Sequence, residues 1–156
     1  MEHIKRAISD AQIFPWQFGI EITENSPISF TSNSLHNLRR LRNLGIKIAL
    51  DDFGTGYSSL AYLQKLPIHM LKIDKAFVDS LAFNEKQQNF VHLIIKLAHN
   101  FGLKVIAEGV ETETQVEWLS YCHCDYIQGY IFSRPIPIDE ALRLAVCRKV
   151  DITKIS

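Results

Sequence analysis

The stretch IALDDFGTGYSSL carries two adjacent carboxylates, Asp51 and Asp52, between an apolar run and a glycine-punctuated turn. Like charges at the end of a buried strand repel and lose hydration, a cost that something must offset. A cation could do so, and further oxygen donors stand at comparable places: Glu21 in FGIEIT and Glu108 in KVIAEG. Four carboxylates without a thiolate or a paired histidine suit hard ions such as Mg²⁺ or Mn²⁺ rather than zinc. Four charges exceed what one ion in a small cavity needs, so two ions fit better, with an Asp able to bridge them. Such pairs commonly clamp the attacking and leaving oxygens of a phosphodiester in line. Lys72 of HMLKID is the one cation in this set. It could orient or deprotonate a water, stabilise charge on a phosphate, or form a plain salt bridge to Asp74 or Asp51. In FGTGYSS, Gly54 and Gly56 permit tight backbone geometry, and Ser58 or Ser59 can cap a following helix. That loop reads either as a phosphate cradle or as a mobile gate.

The elements that must position these residues alternate along the chain. Strand-like FGIEIT (18–23) precedes SLHNLRRLRNLG, where Leu35, Leu38, Leu41 and Leu44 recur at helical spacing and Gly45 suits the stop. IKIALDDF (46–53) leads into the helical pattern SSLAYLQKL. HMLKID (69–74) is followed by a connector and NEKQQNFVHLIIKLAHNFG, with Asn84 to cap the start and Gly102 the end. KVIAEG (104–109) leads to TETQVEWLSYC, and DYIQGY (125–130) leads through SRPIPI to DEALRLAVC. This alternation predicts a parallel sheet with helices outside it. Side chains alternate between the faces of a strand. Glu21, Asp51, Lys72, Glu108 and Gln128 all fall near a strand's C-terminal end, opposite the outer apolar stripe. A shared site at the C-terminal mouth of a barrel accounts for five such tips better than five solvated strand ends do.

The 156 residues suffice for one domain with a real core. Seventeen basic and seventeen acidic residues leave no net charge that would mark a nucleic-acid coat or an acidic tail. The absence of a long apolar run or a signal-like N-terminus predicts no membrane segment and a cytoplasmic location. Cys122, His123 and Cys124 lie together, but C-x-C without a second pair favours reduced, partly buried thiols over a zinc knuckle.

The stretches EITEN, IALDDFGTGYSSL, LKIDKAFV, VIAEGVET and D-x-IQGYIFSRPIP together resemble the EAL family of cyclic di-GMP phosphodiesterases, enzymes of bacterial signalling. The resemblance runs from about Phe18 to Val146, after a helical lead-in over 1–17 and before a tail over 147–156. It implies an α/β fold of the TIM-type (β/α)8 barrel class that hydrolyses cyclic di-GMP to linear pGpG with Mg²⁺ or Mn²⁺. By motif, Glu21, Asp51, Asp52 and Glu108 resemble metal ligands, Lys72 the residue that holds or activates the attacking water, and Gln128 the family's site glutamine. Glu24 resembles the carboxylate that props the loop containing Gly54, Thr55 and Gly56 and links the metals to a dimer contact. Asp74 and Glu111 resemble residues that support the ligands from behind. Tyr57, Gln128, Phe132 and Pro135 fall where substrate would lie.

The family's Glu-Ala-Leu signature and a further Asn ligand belong on earlier strands, which this chain lacks. It is therefore expected to form a partial barrel of about five βα units, short of the ~250 residues of a complete one. The literal Glu140–Leu142 reads as helix packing. Exposed strand edges predict self-association as a dimer, and low turnover is expected from the 156 residues alone. Calcium, being larger, is expected to bind and inhibit. The competing reading is a non-catalytic module that binds cyclic di-GMP or a protein. A third is an aldolase-like enzyme with a Schiff base on Lys72, which crowding carboxylates would disfavour by raising the lysine's pKa. Phe14, Trp16, Tyr57 and Phe132 could stack on guanine, with core packing as the default for each.

Overall fold

A computed structural model describes residues 2–23, 32–54 and 60–147. Five strands, β1 (Gly19–Thr23), β2 (Lys47–Phe53), β3 (Met70–Ile73), β4 (Lys104–Ala107) and β5 (Tyr126–Ile127), form one parallel sheet in sequential order. The helices are α1 (Glu2–Asp10), α2 (Ser32–Asn43), α3 (Leu60–Leu63), α4 (Lys75–Val78), α5 (Glu85–Asn100), α6 (Glu113–Tyr121) and α7 (Ile138–Cys147). Parallel strands in unbroken order need crossovers of one hand, which lays the connecting helices along one face. This is the α/β arrangement expected from the alternating pattern, and five βα units are present.

The outer apolar stripe is the core. Ile48, Leu50, Leu71, Ile73, Val105 and Ala107 are fully buried, covered by Leu38 and Leu41 of α2, Val91, Ile95 and Ala98 of α5, and Val116 and Leu119 of α6. The opposite face is more open, with Met70 and Ile106 half-buried and Tyr126 exposed. Asn84 caps α5 by accepting from the Gln87 N–H at 3.2 Å. Gly45 and Gly102 follow α2 and α5 with φ of 91° and 72°, the left-handed geometry glycine tolerates best.

Several expectations need correction. The pattern SSLAYLQKL yields a described helix of only four residues, α3. The connector after β3 contains α4, started by Asp74, whose Oδ1 accepts from the Ala76 N–H at 2.8 Å. The strand drawn over 125–130 shrinks to two residues, because Gly129 approaches the Val110 backbone and the chain turns there. Phe14 and Trp16 are not core residues: they are 65% and 62% exposed and stack on each other at 6.1 Å. Phe132 is exposed as well. Within α7, Leu142 of the literal Glu-Ala-Leu is 58% exposed, so packing does not explain it. Cys122 is buried with its Sγ 3.1 Å from His92 Nδ1, and Cys124 is partly buried against the Val105 and Tyr126 carbonyls. Glu24, Thr55, Gly56, Tyr57, Ser58, Ser59 and the tail from 148 lie outside the described residues.

A Cβ on Gly129 would stand 2.0 Å from the Val110 carbonyl oxygen, whereas one on Gly102 would meet nothing within 4 Å. Gly129→Ala is therefore expected to destabilise by about 3 kcal/mol through overpacking, and Gly102→Ala by only about 1 kcal/mol through its left-handed φ. Urea denaturation of the two variants measures the difference.

Candidate metal centre

Strand alternation alone cannot bring Asp51 and Asp52 to one place, because neighbours on a strand face opposite sides. The β2–β3 ladder resolves this by slipping: Leu50 pairs with Leu71, but Phe53 pairs with Ile73. Three steps on β2 thus match two on β3, which leaves an extra residue as a bulge. Asp52 takes φ of 56°, a left-handed geometry unusual for a residue other than glycine. Its N–H donates to Asp51 Oδ1 at 3.1 Å. Gly54, with φ of 100° and the Phe77 ring where a Cβ would stand, completes the turn. Backbone strain of this kind costs about 1–3 kcal/mol and gathers where function needs it.

Lys72 is the centre of the arrangement. Its side chain is 6% exposed, and its Nζ lies 2.7 Å from Glu108 Oε1, 2.9 Å from Glu21 Oε1 and 3.0 Å from Asp51 Oδ1. The three carboxylates come from three segments at different heights. Thr23, not Glu21, pairs with Asp51, and Ile106, not Glu108, pairs with Lys72. Glu21 therefore sits two residues lower, and Glu108 two residues higher, than simple register would place them. That stagger is what tilted barrel strands produce.

The electrostatics follow from this geometry. Burial pulls the Lys72 pKa down, but the hydrogen bonds it donates to Glu108, Glu21 and Asp51 outweigh it and leave the value above the ordinary lysine range. Lys72 is an ammonium here, so it serves as a fixed positive charge. The free amine that a Schiff base or a proton abstraction would require is disfavoured. Burial raises the Glu108 pKa despite the Lys72 ammonium, and burial with Asp51 beside it raises that of Asp52. One carboxylate oxygen from each of Asp51, Asp52 and Glu108 lies within 4.8 Å of the others. Those are hard donors with negative charge to spare, and they fit a divalent cation of the Mg²⁺ or Mn²⁺ kind.

The family model of the EAL domain matches residues 1–135. The chain belongs to the EAL domain family. The cyclic di-GMP phosphodiesterase NbdA of Pseudomonas aeruginosa is 39% identical over 138 residues, which cover 88% of this chain and 18% of that protein. Among solved structures, the PaMucR phosphodiesterase in complex with c-di-GMP matches with a TM-score of 0.83 and 38% identity, covering 90% of this chain and 57% of that one. Klebsiella pneumoniae BlrP1 in a manganese/cy-diGMP complex matches with a TM-score of 0.79 and 33% identity, covering 86% of this chain and 34% of that one. The EAL chain thus spans less than two thirds of each of these relatives, whose fold class is the TIM-type barrel.

The remaining candidate residues of this EAL chain occupy other places. Gln128 is exposed just beyond β5, held through its backbone, which donates to the Ala107 carbonyl and accepts from the Val110 N–H. The four-way contact does not include it. Asp74 caps α4, and Glu111 pairs with Lys75, whose stem lies where a Gly109 Cβ would stand. Pro135 and Phe132 are exposed on the segment after β5. Among the described residues, no helix is long and apolar enough to cross a membrane. One buried polar residue is absent from the sequence-based set: Gln115, the fourth residue of the T-x-x-Q spacing at 112–115, which is a capping-box signal.

Lys72→Met removes the ammonium that, among the described residues, holds the Glu108 pKa down, leaving burial to raise it further. The variant is expected to lose about 3 kcal/mol near pH 7, the cost of an unpaired buried charge. Because its folded state would bind protons more readily than its unfolded state, the deficit should shrink toward about pH 5. Denaturation at several pH values, with carboxyl NMR of Glu108, checks both directions.

Proposed function

We propose that this EAL chain carries the acidic part of a cyclic di-GMP phosphodiesterase site. In this reaction a water oxygen bonds to phosphorus, one P–O ester bond breaks, the leaving oxygen takes up a proton, and linear pGpG results. The observation that carries the reading is the meeting of Glu21, Asp51 and Glu108 on Lys72, with Asp52 turned back beside them. The relatives add support, since NbdA is named for this activity and PaMucR and BlrP1 are described with the dinucleotide bound.

In this reading Glu21, Asp51, Asp52 and Glu108 would hold two divalent ions, Mg²⁺ or Mn²⁺. Such ions supply Lewis acidity and neutralise the phosphodiester's charge when bound. Lys72 offers positive charge to the phosphate, and an ammonium hydrogen to the attacking water once one of its carboxylates turns toward an ion. The bulge at Asp52 keeps both adjacent carboxylates aimed into one space. Gln128, Phe132 and Pro135, on the rim after β5, face the dinucleotide. The same carboxylates would hold calcium, which is expected not to support turnover because it is larger and tolerates looser geometry. As the outermost strands of the described sheet, β1 and β5 favour pairing with a second copy.

The purified chain is expected to bind Mn²⁺ and to show little turnover of cyclic di-GMP. A version extended to the full EAL domain should produce pGpG. Asp51→Asn in that version should cut the rate by more than about a hundredfold, the upper end of losses for groups that merely support a ligand. A smaller loss, or pGpG formation without added divalent ions, would contradict the assignment.

A further inference from the structure

Segment 108–112 carries Glu108 away from the end of β4, and its backbone is hydrogen-bonded to β3, to the stretch after β5 and to α6. The Glu108 N–H donates to the Ile73 carbonyl at 3.1 Å. Val110, fully buried, donates to the Gln128 carbonyl at 3.1 Å and accepts from the Ile131 N–H at 3.0 Å. Glu111 and Thr112 both donate their N–H to one atom, Gln115 Oε1, at 2.8 and 3.0 Å. The amide's other end donates from Nε2 to the Val78 carbonyl at 3.1 Å. Gln115 is 4% exposed.

A glutamine that only capped α6 would not need the contact with Val78. Thr112 already supplies a cap, since its Oγ1 accepts from the Gln115 N–H at 3.3 Å. Val78 ends α4, the helix that Asp74 starts two residues after Lys72. A closed circuit results: Lys72, α4, Val78, Gln115, segment 108–112, Glu108, and back to Lys72 through the 2.7 Å ion pair. The Lys75–Glu111 pair crosses the same circuit. A buried amide with both ends satisfied is a stiff link, and removing one partner strands the other at a cost of about 1–3 kcal/mol.

We infer that Gln115 is a positioning residue that sets Glu108 against Lys72 by tying the segment after β4 to the end of α4. The inference rests on the proposed metal-binding role of Glu108, and its consequence is that Gln115 governs cation affinity at a site it does not touch.

Three variants of the chain separate this from ordinary helix capping. Thr112→Ala removes the threonine cap and leaves the Val78 link. Gln115→Glu keeps an oxygen for the Glu111 and Thr112 N–H groups but cannot donate to Val78, and Gln115→Leu removes both. Mn²⁺ titration should show affinity weakened about three- to tenfold in both Gln115 variants, at or below the low end for groups bonded directly to a ligand. Thr112→Ala should keep wild-type affinity while losing stability. Hydrogen exchange at the Glu108 and Val110 amides should accelerate in the Gln115 variants only. Wild-type affinity and exchange in Gln115→Glu, or equal changes in Thr112→Ala, would overturn the inference. If Gln115→Leu fails to fold, Gln115→Glu decides. If the wild-type chain binds no Mn²⁺, the metal reading fails, and the exchange comparison still judges the positioning role on its own.

Discussion

A lysine ammonium sealed beneath three carboxylates from three separate β-segments is the contact on which the rest of this EAL chain depends. No two of those carboxylates would tolerate each other at such short range without a cation between them. Lys72 supplies that cation, and burial of its stem among the strands fixes where the charge sits. One ammonium against four carboxylates, counting Asp52, still leaves the mouth of the sheet negative. The raised pKa values of Glu108 and Asp52 record burial in that environment. A divalent cation would relieve the same charge, so the electrostatics that strain the fold are also those that make it receptive.

Much of this was legible in the residue order, and for a definite reason. The alternation of side chains along a strand is a local property, so Glu21, Asp51, Lys72 and Glu108 can be assigned to one face without knowledge of their neighbours. Helix ends were legible where chemistry marks them, as with Asn84 before α5 and Gly45 after α2. Strand alternation alone falls short where a tertiary contact overrides the local pattern. Asp52 belongs to the wrong face by alternation, and only the bulge against β3 recovers it. The strand carrying Gln128 stops one residue short of it, because Gly129 must pass close to Val110. Phe14, Trp16 and Leu142 look like core by type, yet exposure is set by what surrounds them and not by their own side chains.

The two ends of the sheet are built for different tasks. At the N-terminal end, Asp125 accepts from His99, Lys104 and the Val105 N–H, and those bonds hold its pKa below the usual range against the opposing effect of burial. That network fastens the short β5 to β4 and α5. At the C-terminal end the contacts are charged, staggered and partly strained. In the proposed reading, stiffness at one end and polar groups at the other match the way barrel folds separate stability from function.

Anomalous diffraction from a crystal of the chain grown with Mn²⁺ tests the central claim most directly. The account predicts a peak within coordination distance, about 2–2.6 Å, of oxygens from Asp51, Asp52 and Glu108. Density that shows Lys72 still bound to its carboxylates and no anomalous signal beside them would contradict it.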